Sequence, residues 1–144
     1  MSDNFRNGRT FRERLLSRLI VEPGTGCLLW TGEINHGYGA ISMDGENRRV
    51  HRVMYEMFAG PIPDGLTLDH LCRVQRCAAP AHLEPVTHRI NVLRGIGPTA
   101  VNAAKTNCDK GHELDLPNTY FWRGKRYCRA CRAAWDAQRI RRRS

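Results

Sequence analysis

Apolar residues at Phe11, Leu15, Leu16, Leu19 and Ile20 recur at helical spacing, with Arg12, Arg14 and Arg18 on the other side. That stripe predicts a short amphipathic helix packed on a core, its basic face in water. Thr10, with Glu13 three residues later, forms a capping box at its start, and Pro23-Gly24 ends it. The period then shortens. Cys27 to Thr31 and Tyr38 to Met43 read as strands, Asp44 to Asn47 as a hairpin turn, and Arg48 to His51 as a third strand. Arg52 to Phe58 reads as a helix, and Gly60 to Gly65 breaks the chain. Leu66 to His70 alternates as a strand, a loop runs from Leu71 to Ala81, and His82 to Val86 is a return strand. Thr87 is placed to N-cap a helix reaching about Arg94. Residues 95–107 are Gly, Ala and polar without periodicity and read as a linker. A helix from about Cys128 to Arg143 closes the chain. No internal repeat is present.

At 144 residues and 41% hydrophobic content the chain has material for a modest core. No apolar run approaches the ~18 residues of a membrane helix. The start, MSDNFRNGRT, lacks the apolar core of a signal peptide. The net charge of +9 is uneven. Residues 1–20 carry five Arg and two acids, residues 21–120 nine basic and eleven acidic residues, and residues 121–144 nine basic residues and one acid. An ordinary folded middle is thus flanked by two basic arms, which attract polyanions, nucleic acid foremost.

Six cysteines, with no leader and with His among them, point to metal rather than disulfides. Zn²⁺ takes four tetrahedral ligands from thiolate and imidazole. Cys108-x₃-His112 and Cys128-x₂-Cys131, fifteen residues apart, make one complete set. Cys72, Cys77 and His82 make three-quarters of another, and Cys27 is the remaining thiol. Cys27 is assigned as the fourth ligand; its other reading is a small buried apolar side chain. Two structural zinc sites are expected.

Asp69-His70, Cys72, Cys77, His82-Leu83 and Asn91 resemble the His-Me finger (ββα-metal) nucleases. The likeness is closest to His-Cys box homing endonucleases and the zinc-containing HNH enzymes of phages. Counted from His70, the matching positions lie at +2, +7, +12 and +21. The stretch from Asn102 through Arg132 is similar to zinc-ribbon tails on phage HNH enzymes. The resemblance implies an α+β fold: a small ββα-metal nuclease core with N-terminal antiparallel strands, two structural zinc sites and a basic C-terminal helix. It implies His70 as general base, whose other reading is a core histidine bonded to a backbone carbonyl, Asn91 as ligand of a catalytic metal and, as in many HNH enzymes, Asp69 as a second ligand. Two letters depart from the HNH motif: its middle Asn is His82, and its last His is Asn91.

The residue types suit that chemistry. Phosphodiester cleavage needs a base for water, a Lewis acid for the developing oxyanion and positive charge on the phosphate. His titrates near neutrality, and Asp and Asn are hard oxygen ligands suited to Mg²⁺. Arg49, His51 and Arg52 precede the motif; Arg52 is the chosen phosphate clamp, and His51 an orienting or a structural residue. His36 and His88 read as surface residues.

The expected organisation is a basic N-terminal helix (1–24), a nuclease core with the first zinc site (25–95), a linker (96–107) and a zinc-ribbon-like unit with a basic helix (108–144). The expected function is a Mg²⁺-dependent endonuclease on double-stranded DNA, of phage or homing type. It would be a monomer or homodimer in the cytoplasm of a host cell, neither secreted nor on a membrane. The rival is a non-catalytic zinc-containing DNA-binding regulator. An RNA-binding zinc ribbon, with Tyr120, Phe121, Trp122 and Tyr127 stacking bases, is a third possibility.

Overall fold

A computed structural model describes residues 8–142. The first residues of the N-terminal basic arm, and Arg143 at the expected end of the last helix, lie outside the described residues. The chain mixes α and β elements and divides into two compact units, Met1–Asn91 and Val92–Ser144.

In the first unit the Thr10 side chain accepts from the Glu13 N–H at 3.2 Å, and the Glu13 carboxylate accepts from the Thr10 N–H at 2.8 Å. This capping box starts α1 (Phe11–Leu16), which is shorter than its apolar stripe predicts. Leu19–Val21 instead form β1, paired antiparallel with β2 (Leu28–Trp30). Among the described residues the expected basic helix over 1–24 is therefore corrected to a short helix followed by a strand. Ile20 and Val21 are β-branched, and the turn at Glu22 to Gly26 brings them a partner, so pairing overrides the helical spacing.

β3 (Ile34–Asn35), β4 (Tyr38–Met43) and β5 (Glu46–Arg49) form an antiparallel sheet in that order. The β4–β5 turn is only Asp44-Gly45, both at positive φ, the backbone that a two-residue hairpin requires. α2 (Val50–Phe58) follows at once and buries Val50, Val53 and Met54. That helical spacing takes in His51, expected as a strand end, and buries it too.

The core gathers Leu15, Trp30, Ile41, Val50, Val53, Met54 and Ala78. Trp30 is 1% exposed, and its indole N–H donates to the Glu33 carbonyl at 2.9 Å. Gly32 and Gly39 lie flat against this indole: a Cβ would fall 2.5 Å from the ring at Gly32 and 2.7 Å at Gly39.

β6 (Leu66–His70) and β7 (Leu83–Thr87) pair antiparallel from Leu66↔Thr87 to His70↔Leu83. The Leu71 N–H donates to the His82 carbonyl at 2.9 Å, so the loop between the strands closes at its neck. Thr87 Oγ1 accepts from the Ile90 N–H at 3.3 Å and caps α3 (His88–Arg94).

In the second unit, residues 96–107 are not all linker: they contain α4 (Pro98–Ala104), with Pro98 in its first turn. Proline's fixed φ starts a helix that Ala can then propagate without an apolar stripe. The Arg126 guanidinium donates to the carbonyls of Asn102 and Lys105. β8 (Thr119–Trp122) and β9 (Lys125–Cys128) form a hairpin that leads straight into α5 (Arg129–Arg141).

Candidate active site and metal centres

Pairing of β2 with the loop after β6 positions the first Cys/His cluster. The Ala78 N–H donates to the Leu28 carbonyl at 2.8 Å, the Trp30 N–H donates to the Arg76 carbonyl at 3.0 Å, and Leu29 bridges Cys77. Cys27, just ahead of β2, is thereby carried to the loop. The ligand atoms of Cys27, Cys72, Cys77 and His82 lie within 4.8 Å of one another. His82 Nδ1 is 3.6 Å from both the Cys27 and the Cys77 sulfur, and both cysteines are 0% exposed. Burial pushes the Cys77 thiol up to about 12, so a thiolate there needs a cation beside it.

In the second unit Cys108, His112, Cys128 and Cys131 make another such group. The Cys108 sulfur lies 3.5 Å from His112 Nδ1 and 3.6 Å from the Cys131 sulfur, and His112 Nδ1 is 3.2 Å from the latter. Zn–S and Zn–N bonds in a tetrahedron place ligand atoms about 3.5–3.8 Å apart. Both sets therefore fit zinc by atom type, number and spacing. Among the described residues they are the two groups of three or more Cys, His, Asp or Glu placed to share a metal. Asn118 braces the second set: its Oδ1 accepts from the Ala130 N–H at 3.0 Å, and its amide donates to the Cys128 sulfur at 3.4 Å.

The β6–β7 hairpin distributes the remaining candidates. Thr67, Asp69 and His70 all lie on β6, with Asp69 and His70 buried at its end. Asn91 reaches β6 from α3, and its amide nitrogen donates to Thr67 Oγ1 at 3.3 Å. That leaves its carbonyl oxygen, the atom a hard cation takes. Asp69 is 2% exposed, and the Arg73 guanidinium bonds its Oδ1 at 2.5 Å. Nothing in the sequence marked Arg73 as the partner of Asp69, apart from a separation of four residues in a loop.

His70 Nε2 donates to the Cys77 carbonyl at 3.2 Å. The bond fixes the proton on Nε2 and leaves Nδ1 as the basic nitrogen. Burial holds His70 below its ordinary value of 6.5, despite the opposing pull of the Cys77 carbonyl and Asp69. The His51 ring meets it edge-on at 4.8 Å, and Tyr38 packs on both histidines at 5.8 and 5.3 Å. Burial, with the neighbouring His70, pushes His51 down to about 3. Tyr38 carries the Arg49 guanidinium at 4.4 Å. Tyr38 escaped sequence reading because it lies on a strand far upstream. Arg52 is exposed and makes no ion pair among the described residues.

The model of the HNH endonuclease family matches residues 48–93, from β5 through α3. The chain belongs to the HNH endonuclease family. It is similar to "Protein 7.7" of Escherichia phage T7, 38% identical over 66 residues, covering 45% of this chain and 51% of that protein. It is also similar to the "Uncharacterized gene 5.3 protein" of Enterobacteria phage T3, 30% identical over 79 residues, covering 49% of this chain and 77% of that one. The chain thus spans about half the length of the T7 protein. No solved structure matches. No helix among the described residues is long and apolar enough to cross a membrane.

Proposed function

We propose that the chain is a metal-dependent endonuclease that hydrolyses phosphodiester bonds of double-stranded DNA, of phage or homing type. The hairpin β6–β7 and α3 would form the ββα-metal core of the His-Me finger nucleases. The observation that carries this reading is the anchoring of His70. Its Nε2–H is engaged by the Cys77 carbonyl, and its ring is boxed by His51 and Tyr38, which leaves a neutral Nδ1 inside the HNH-matched segment.

In this reading His70 Nδ1 takes a proton from the attacking water. Asn91, through its carbonyl oxygen, and Asp69 would hold Mg²⁺; both offer hard oxygen donors and fit it by chemistry. When bound, Mg²⁺ would withdraw charge from the scissile phosphate and steady the departing oxygen. Arg73 pairs with Asp69 and brings positive charge beside His70. Arg52, exposed on α2, would clamp the phosphate; Arg49 lies over Tyr38, whose ring packs on His70.

Two zinc ions would be structural, one in each unit. The first would act on catalysis indirectly, because Cys77 is at once a ligand and the residue whose carbonyl orients His70. Incubating supercoiled plasmid with zinc-loaded protein, with and without Mg²⁺, tests the reading. Nicked or linear product only with Mg²⁺ supports it; binding without cleavage under both conditions selects the zinc-containing DNA-binding regulator.

A further inference from the structure

The aromatic face of the second unit has no part in the reading above. Tyr120 and Tyr127, register partners on β8 and β9, stack at 5.4 Å. Trp122 meets Tyr127 edge-on at 6.5 Å. With Trp135 of α5 these rings line a cleft of about 750 Å³, within the roughly 300–1,000 Å³ of ligand-binding sites. The rings are not core residues of the unit: Trp122 is 56% and Trp135 51% exposed.

Both exposed indoles are attended by guanidinium groups. Arg123 lies 4.5 Å over Trp122, and Arg132 and Arg139 lie 4.9 and 5.2 Å over Trp135. Residues 121–144 carry nine basic residues and one acid, so a polyanion complements the face. Exposed indoles beside guanidinium groups do not suit a duplex, whose bases are stacked on one another and offer only their edges in the grooves. Unpaired bases present a π-face that stacks on an aromatic ring, while the neighbouring arginine meets the phosphate.

We propose that this face binds single-stranded DNA, with bases stacked on Trp122 and Trp135 and phosphates held by the arginines beside them. The choice of DNA over RNA rests on the endonuclease reading; the stacking itself does not, and neither depends on cleavage. The protein would then hold an unpaired strand through its second unit while the first acts on a duplex.

The test is binding by the full-length, zinc-loaded protein without added Mg²⁺, followed by tryptophan emission, with twenty-nucleotide oligo-dT, oligo-U and a blunt duplex of equal length. Oligo-dT should quench emission. Trp122→Ala and Trp135→Ala should each weaken oligo-dT binding by about fivefold to a hundredfold, the range for loss of one stacked base. Duplex affinity should stay the same. Trp135→Phe should retain binding. Trp135→Leu keeps apolar bulk without a π-face and should lose it, at unchanged zinc content. Equal weakening for duplex and single strand, or none for either, overturns the proposal. So does tighter binding of oligo-U than of oligo-dT. An emission change on concentrating the protein alone, abolished in Trp135→Ala, would assign the face to a second copy of the chain and overturn it as well. Cleavage is not read here, so an inactive nuclease and an idle aromatic face give separate results.

Discussion

Replacing Cys27 with Ser isolates what the first Cys/His cluster does. Cys27 is fully buried at the head of β2, and its sulfur lies 3.6 Å from His82 Nδ1. A metal there ties the N-terminal hairpin to the loop of Cys72, Cys77 and His82. The tie from Cys27 to Cys77 closes a loop of about 50 residues, and a cross-link of that span removes about 4 kcal/mol of closure freedom from the unfolded chain. Domains of this size are stable by only about 5–15 kcal/mol, so losing the tie should lower the melting temperature by about 15–30 °C. Scanning calorimetry, with zinc counted by atomic emission, reads both effects. Wild type should carry two zinc ions per chain, and Cys27→Ser should hold one of them loosely or not at all. Stripping zinc should bring wild type and variant close together in stability, because the effect runs through the metal. Activity should fall too, since the Cys77 carbonyl that holds His70 belongs to the loosened loop. A variant with two tightly held zincs and a melting temperature within a few degrees of wild type would refute the four-ligand assignment.

Asn91→Ala should cut cleavage and recover part of it at high Mg²⁺; an unchanged Mg²⁺ titration would reduce Asn91 to a tie between α3 and Thr67. Arg141→Gln with Arg142→Gln, at the exposed end of α5, should flatten the slope of log K against log[salt] on duplex DNA by up to about 1.8, at about 0.9 per lost phosphate contact. An unchanged slope would leave these arginines merely solvated. Gly39→Ala should destabilise the first unit by about 1–3 kcal/mol, since its Cβ would fall on the buried Trp30 ring. Denaturant unfolding checks it, and a midpoint equal to wild type would contradict the packing.

Much of this was legible where a local signal and the tertiary fold agree. The Thr10–Glu13 box, the alternation from Leu66 to His70 and the Thr87 cap are short-range patterns, and each reappears at the atoms expected. The ligand sets could be read because zinc chemistry restricts both residue type and spacing, so Cys27 was drawn to the cluster by the want of a fourth donor. What could not be read depends on partners distant in sequence. Leu19–Val21 fit a helix equally well until Leu28–Trp30 is beside them. The carbonyl that anchors His70 is that of Cys77, and no side-chain motif records which carbonyl it would be. Tyr38 reaches His70 only after β4 and α2 have packed. α4 has no apolar stripe at all, and its Ala-rich sequence looks the same in a linker.

If His70 is the base of a phosphodiester hydrolase, removing its imidazole should cost rate and leave fold and binding alone. Wild type and His70→Ala, matched for zinc content, melting temperature and DNA affinity, are incubated with supercoiled plasmid and Mg²⁺. Loss of a general base costs about 10²–10⁴-fold in rate. Nicking should fall by that factor in the variant while binding is unchanged. Cleavage by His70→Ala at the wild-type rate, or none by wild type at any Mg²⁺ concentration, would contradict that role.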